Sequence, residues 1–399
     1  MTERDLQRRL ADVAPPDEHA AEERAWRVVG AAFEERARTD RPARRRRPAL
    51  AVATALALSL IALSPAGAAV GGWIRDAFDP GREDADPALV STPAPGRLLV
   101  TSGQDPWIVH RDGSKRRLGA YEDAAWSPAG LFVAVTAGRE LVVVEPDGDP
   151  RWSLARSEPV TVPAWSPDGF RIAYLSGRAL HVVAGDGTGD TRLAAGVAPT
   201  MPAWQPGADH VLAYAEPDGR IAGVDTDSGR RLWRTAPARI PSALAWTPDG
   251  RALLAMSPGS VRIFDSGGRL ARTLEPPPGA SYEALAIHPS GLHAALVHHF
   301  PAERRSEAVS LPLAGGAGRR LFAGDGRFSD LDWSPDGRWL LIGWPDADQW
   351  LFVRSTTKPK ILASSNISRQ LDPGAGAQRR KGPFPSVSGW CCAPRTKTQ

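Results

Sequence analysis

Residues 163–169 read PAWSPDG, and the phrase returns along the chain as AAWSPAG at 124–130, PAWQPGA at 202–208, LAWTPDG at 244–250, LAIHPSG at 285–291 and LDWSPDG at 331–337. Its anchor positions are Trp126, Trp165, Trp204, Trp246, Ile287 and Trp333, separated by 39, 39, 42, 41 and 46 residues. A period near forty matches one four-stranded propeller blade and is too long for leucine-rich or tetratricopeptide repeats. The text between anchors agrees. Each phrase is followed by an apolar strand such as RIAYLS at 171–176, then a second strand running into a polar turn such as DTDSG at 225–229, then a short Arg-Leu strand.

The spacing has a physical cause. Four short antiparallel strands have two apolar faces that one blade cannot bury alone, so blades stack, and a ring is the closed arrangement that leaves only short edges. The anchor Trp is read as the wedge between blades, and the Ser-Pro-Asp-Gly that follows it as a tight turn. There Pro presets φ, Asp bonds nearby backbone and Gly takes a positive φ. Ile287 with His288, and Gln205 with Gly207, break the pattern and predict two less regular blades.

Six phrases suggest six blades, yet residues 97–119 (RLLVTSG, PWIVHRDG, SKRRLG) have the form of the second, third and fourth strands of a blade without its first. At 384–394, FPSVSGWCCAP loosely repeats the motif with Trp390 at the anchor. The sequence thus predicts an all-β, seven-bladed propeller over 97–394, closed by a split blade (97–119 plus 383–394). The alternative is a six-bladed ring with a C-terminal tail.

These motifs resemble the WD40-like repeats of TolB, of the propellers that accompany some serine peptidases, and of membrane-anchored proteins of high-GC Gram-positive bacteria. The resemblance covers roughly residues 97–394. It implies the fold strongly and the function weakly, because such repeats serve binding, gating and catalytic proteins alike. No peptidase domain follows the repeats, so hydrolase activity is not carried over.

The N-terminal third reads differently. From Pro48 to Ile74 no residue is charged, and this Ala- and Leu-rich run of about 26 residues would span ~39 Å as a helix. Arg41, Arg44, Arg45, Arg46 and Arg47 precede it, while Arg75 among Asp76, Asp79, Glu83, Asp84 and Asp86 follows, which by the positive-inside rule leaves 1–47 cytoplasmic and exports the rest. Residues 48–74 are therefore expected to be a single transmembrane helix and 75–96 a linker. The competing reading is a cleaved signal peptide, with Ala66, Gly67, Ala68 and Ala69 as the small residues cleavage needs, and secretion as its consequence; a leader of 47 residues favours the anchor. In the leader, Leu6, Leu10 and Val13, then Trp26, Val29 and Phe33, recur at helical spacing and predict two short amphipathic helices, which rest on the membrane or on each other or dock a cytoplasmic partner.

The remaining composition limits the chemistry. The chain has 399 residues, 42% hydrophobic, with a net charge of only +4, so there is material for a large core but no basic stripe for nucleic acid. P-loop, G-x-S-x-G and H-E-x-x-H patterns are absent from the sequence, so no catalytic residue, metal ligand or cofactor is assigned. His288, His293, His298 and His299 form the nearest thing to a metal cluster, but alternation along a strand sends His298 to the opposite face from His293 and His299. The turns at 225–229 (DTDSG) and 185–190 (GDGTGD) resemble calcium loops only in composition, since neither has the bidentate Glu at the required distance. The two cysteines, Cys391 and Cys392, are adjacent, which leaves open a vicinal disulfide, small buried side chains in the closing strand, or pairing with another molecule. Two functions follow as expectations: a non-catalytic module binding a protein, glycan or envelope component at one mouth of the ring, or a transmembrane sensor signalling through the leader, for example to a sigma factor. An enzyme with its site in the central channel has no residue pattern behind it.

Overall fold

The computed structural model describes residues 91–208, 210–354, 360–372 and 383–392. The leader, the apolar run and most of the expected linker lie outside them. Among the described residues no helix is long and apolar enough to cross a membrane.

The described strands, β1–β28 in chain order, form seven antiparallel sheets of four. Six sheets are consecutive in sequence; their first strands are β4 (Ala124–Trp126), β8 (Val160–Trp165), β12 (Ala203–Trp204), β16 (Ala243–Trp246), β20 (Ser281–Ile287) and β24 (Leu331–Trp333). We number these blades 2 to 7. Blade 1 is split: β1 (Arg97–Ser102), β2 (Asp105–Val109) and β3 (Lys115–Arg117) are joined by β28 (Ser386–Cys391), which pairs with β1 from Arg97↔Cys391 to Thr101↔Ser386. Each first strand packs against the first strand of the next blade, and β28 stands between β24 and β4, so the first strands form the inner ring and the ring is closed. Seven sheets settle the blade number against six.

Strand alternation explains why the core is divided between blades. On β1, Leu98 and Val100 pack with Trp339, Trp350 and Phe352 of blade 7, whereas Leu99, pointing the other way, packs with Val133, Val135 and Val142 of blade 2. The middle strands are therefore apolar at nearly every position, as in VAVTA at 133–137 and WLLIGW at 339–344. Outer strands such as β3, with both faces wet, are polar. Part of the expected linker and a short segment after blade 7 also join this core. Ala94, within the expected linker, is buried beside Trp390, and Thr92 N donates to the Arg111 carbonyl at 2.9 Å. After blade 7 a four-residue helix, α1 (Ile367–Gln370), buries Ile367 in the same cluster, and the Asp348 carboxylate holds it by accepting from Ser368 N and Ser368 Oγ, both at 2.9 Å.

The motif turns are built alike. Ser166 N donates to Arg171 O at 2.8 Å, Arg171 N to Ser166 Oγ at 2.9 Å, and Phe170 N to Asp168 Oδ1 at 2.9 Å, with Gly169 at φ +80°. Thr247 with Asp249, and Ser334 with Asp336, repeat this turn. These first-to-second strand turns lie on one face of the ring, the turn face. The second-to-third hairpins and the crossovers between blades lie on the other, the crossover face.

Candidate interaction cleft between blades 6 and 7

The anchor residues sit at the blade boundaries. Trp204 Nε1 donates to Ala164 O at 2.9 Å, Trp246 Nε1 to Ala203 O at 3.1 Å and Trp333 Nε1 to Ala286 O at 3.3 Å, each reaching the inner strand of the preceding blade. These three and Trp390 are buried; Trp126, Trp165 and Ile287 are half-buried. The indole nitrogens of Trp126, Trp165 and Trp390 are shielded without a partner. Both departures from the motif bridge blades in one way: Gln205 Nε2 donates to Gly250 O at 2.8 Å, and His288 Nε2 donates to Gly337 O at 2.9 Å, with His288 Nδ1 accepting from Ser290 N at 3.0 Å. The corresponding blades keep four strands, although β12 is reduced to two residues.

The other sequence candidates are dispersed. His288 and His293 lie at the turn-face end of β21 (His293–Phe300); His298 and His299 lie at its crossover end. His298 is buried against Tyr282, with its pKa lowered by that burial, and His299 Nδ1 lies 3.0 Å from Ser306 Oγ. Among the described residues no three His, Cys, Asp or Glu side chains are grouped to hold a metal. In the DTDSG turn, Asp225 Oδ1 accepts from Asp227 N at 3.0 Å and Ser228 N at 2.9 Å, while Asp227 pairs with Arg171 at 2.7 Å and His210 at 2.9 Å. In GDGTGD, Asp190 pairs with Arg156 and accepts from Tyr174 Oη; Arg156 Nε also donates to Tyr174 Oη at 2.6 Å. His181 stacks on Tyr174 and lies 3.1 Å from Arg156 Nη2; burial, with the charges of Arg156 and Arg192, pushes its pKa down to about 4, so it stays neutral and accepts from the guanidinium. In both loops the first carboxylate caps its own turn, Asp225 and Asp186, and a later one pairs with side chains of neighbouring strands, Asp227 and Asp190. Cys391 and Cys392 follow Trp390, where Ser127 and Pro128 follow Trp126, and their sulfurs adjoin the Gly130 turn: a β-carbon on Gly130 would lie 2.8 Å from Cys392 Sγ.

The feature the sequence did not single out lies on the crossover face. Blade 6 has the longest strands, with β21 and β22 (Arg305–Pro312) of eight residues each, so its hairpin at 301–304 forms a raised wall. Behind that wall a cavity of about 770 Å³ is lined by His299, Arg304, Asp325, Arg327, Trp344 and Asp346, among others. Its parts are fixed by hydrogen bonds. The Ser306 hydroxyl, fully buried, donates to Gly326 O at 2.8 Å and accepts from Phe328 N at 3.3 Å, tying hairpin to crossover. Trp344 Nε1 donates to Asp325 O at 2.7 Å, and its ring stands edge-on to Phe322 and Phe328. Arg327 N donates to Asp346 Oδ2 at 2.6 Å and its guanidinium to Glu283 at 2.6 Å. Gly326, at φ +79°, has no room for a side chain, since a β-carbon there would fall 2.0 Å from Asp346 Oδ2.

On this frame two charges are left over. The exposed Arg304, whose backbone is left-handed at φ +50°, and the exposed Asp325 have no side-chain partner among the described residues. Backbone in this region costs about 1–3 kcal/mol and persists where surrounding structure imposes it. Here the Arg304 carbonyl is held by Gly326 N at 2.5 Å. The cleft thus presents one cation, one anion and an aromatic wall. The Ser306–His299 contact is not an activated nucleophile, because the hydroxyl is enclosed and its proton committed to Gly326.

Comparison with known proteins supports the architecture. No family model and no curated protein matches the sequence. Among solved structures, a chain of the "Crystal Structure of Mitotic Checkpoint Complex" is similar with a TM-score of 0.51 and 18% identity, over 77% of this chain and 88% of that one. A chain of the Kuenenia stuttgartiensis hydrazine synthase shows a TM-score of 0.48 and 16% identity, over 69% and 80%. At such identities the first likeness speaks for the propeller fold alone.

Proposed function

We propose that this chain is a membrane-anchored, extracytoplasmic β-propeller of the TolB repeat type that binds a protein or envelope ligand on its crossover face, at the cleft between blades 6 and 7. The observation that carries the reading is the pair of unpartnered charges, Arg304 and Asp325, held beside Trp344 on a raised and hydrogen-bonded frame. Exposed charges with no internal partner are free to pair with a complementary surface, and that pairing offsets the water each gives up, which makes such a place a recognition site. Export is supported by the arginine run before residue 48 and the uncharged stretch to Ile74. Catalysis has no part in the proposal.

The test is site-specific photocrosslinking in cells, with a photoreactive residue at position 304 or 325 and a control at Arg251 on the turn face. Adducts from the cleft positions alone support the reading; equal yields at 251, or none at any position, overturn it. A reporter fused after Gln399 tests the topology separately, and activity confined to the cytoplasm refutes export.

A further inference from the structure

The residue before each anchor is Ala125, Ala164, Ala203, Ala245 and Ala286 in blades 2 to 6, and Gly389 in the closing strand. In blade 7 it is Asp332. The side of the inner strand that carries this position faces the next blade, which for blade 7 is β28. Asp330, immediately before β24 and two residues before Asp332, also faces this boundary and accepts from Val387 N of β28 at 3.3 Å. One carboxylate across a boundary is a device this ring uses elsewhere, since Asp123 accepts from Val162 N of blade 3 at 2.9 Å. Among the described residues, two carboxylates spaced two apart at one inner-strand boundary occur only where blade 7 meets the closing strand. Asp332 Oδ2 is shielded from solvent and has no hydrogen-bond partner.

The surroundings do not neutralise this pair. The elements packed on β24 are β20, β21, β25 (Trp339–Trp344) and β28. β25 carries no titratable residue and β28 carries only Cys391; β20 carries Tyr282 and Glu283, the latter already paired with Arg327; and β21 carries His293, the buried His298 and His299, which faces Ser306. The charge that reaches Asp332 is that of Asp330.

We propose that Asp330 and Asp332 form a proton-controlled latch on the closing strand, which holds β28 in the ring while Asp332 is protonated and loosens it when both carboxyls are charged. Burial pushes Asp332 up to about 7, and the neighbouring Asp330 charge adds to this while the Trp390 and Trp333 amides work against it; burial raises Asp330 as well. The sign follows. A carboxyl whose folded-state pKa exceeds its unfolded one contributes stability in acid, and that contribution is lost as pH rises through the folded value, here near 7. Blade 1 is therefore closed most firmly in mild acid.

Hydrogen–deuterium exchange of the full chain between pH 5.5 and 8.5, corrected for the intrinsic rate, reads the latch directly. The peptide covering 384–392 should lose roughly tenfold in protection between pH 6 and 8.5, while one from β17 (Ala252–Ser257), two boundaries or more away, stays level. Asp332→Asn should flatten the β28 profile, and Asp123→Asn should leave it as it is. Should Asp332→Asn fail to fold, Asp332→Ala introduces the residue that five other blades carry there. Protection of β28 that tracks β17 at every pH, or a pH dependence that survives both Asp332 variants, overturns the proposal.

Discussion

Gln205 Nε2 donates to the carbonyl of Gly250 across a blade boundary at 2.8 Å, from the motif position where Ser166 and Ser334 fold back onto their own turns. His288 does the same for Gly337 at 2.9 Å. Gln205 exchanges a bond within its turn for one between blades, whereas His288 adds the bridge while its Nδ1 still accepts from Ser290 N in its own turn. Gln205→Ala should therefore cost about 1 kcal/mol of stability. Gln205→Ser should recover little of it, because a hydroxyl on one carbon does not reach the next blade; urea unfolding would show it, and full recovery by Ser would contradict the bridge.

Gly250 tests the same boundary from the other side. Its φ is +68° and an added β-carbon would lie 2.1 Å from Pro206 O, a backbone atom with little freedom to move. Gly250→Ala should destabilise by about 3 kcal/mol or more, through strain and overpacking together. At Gly138, which also has a positive φ but open space around it, the same change should cost only the backbone term, about 1 kcal/mol.

The anchor tryptophans are not equivalent. Trp246 is 7% exposed and bonded to Ala203 O, so Trp246→Ala should cost ~3–5 kcal/mol. Trp165 is half-buried and its Nε1 has no partner, so Trp165→Ala should cost clearly less. Equal losses in thermal melts would show that the inter-blade hydrogen bond and the depth of burial do not separate them.

His181 gives a pH dependence opposite in sign to that of Asp332. Its folded pKa, near 4, lies below the ordinary 6.5, so the unfolded chain takes up a proton that the folded one refuses. Stability from this residue is complete above pH ~6.5 and is lost as pH falls towards 4, by an amount on the order of 1–3 kcal/mol. His181→Asn should flatten urea midpoints measured over that window. A slope unchanged by the substitution would place the acid sensitivity elsewhere.

Removal of residues 383–392 deletes β28 and leaves β1 with an unpaired edge and the Leu98 cluster without Trp390. The propeller should then melt lower or aggregate, and Trp390→Ala should show a smaller loss of the same sign. A truncated chain that melts like the intact one would make β28 dispensable.

Much of this architecture was legible because it is periodic. The anchors at Trp126 to Trp333 mark boundaries that side-chain alternation enforces, and the missing first strand before Arg97 pointed to FPSVSGWCCAP because an inner strand position without a partner leaves backbone groups unmet. The burial of Ala94 and the small helix at Ile367 were not legible, since short irregular segments carry no period and dock by tertiary fit. The cleft escaped for a related reason. Arg304, Asp325 and Trp344 come from a hairpin, the end of an outer strand and the end of a strand in the next blade, and in sequence nothing sets them apart from other strand-end and turn residues. Asp332 stood inside a quoted motif, LDWSPDG, but its meaning depends on which strand lies beside it.

Pairing β1 with β28 also sets an order of events during synthesis. Thr101 and Ser388, neighbours in blade 1, are 287 residues apart in the chain, so every other described strand is made before this contact can form. Until then blade 1 is a three-stranded sheet with a bare edge, and a nascent ring must wait in that state while six blades emerge. Quality control that recognises exposed strand edges has its longest opportunity here, and a ribosome that stops short of residue 386 leaves a chain that never passes it.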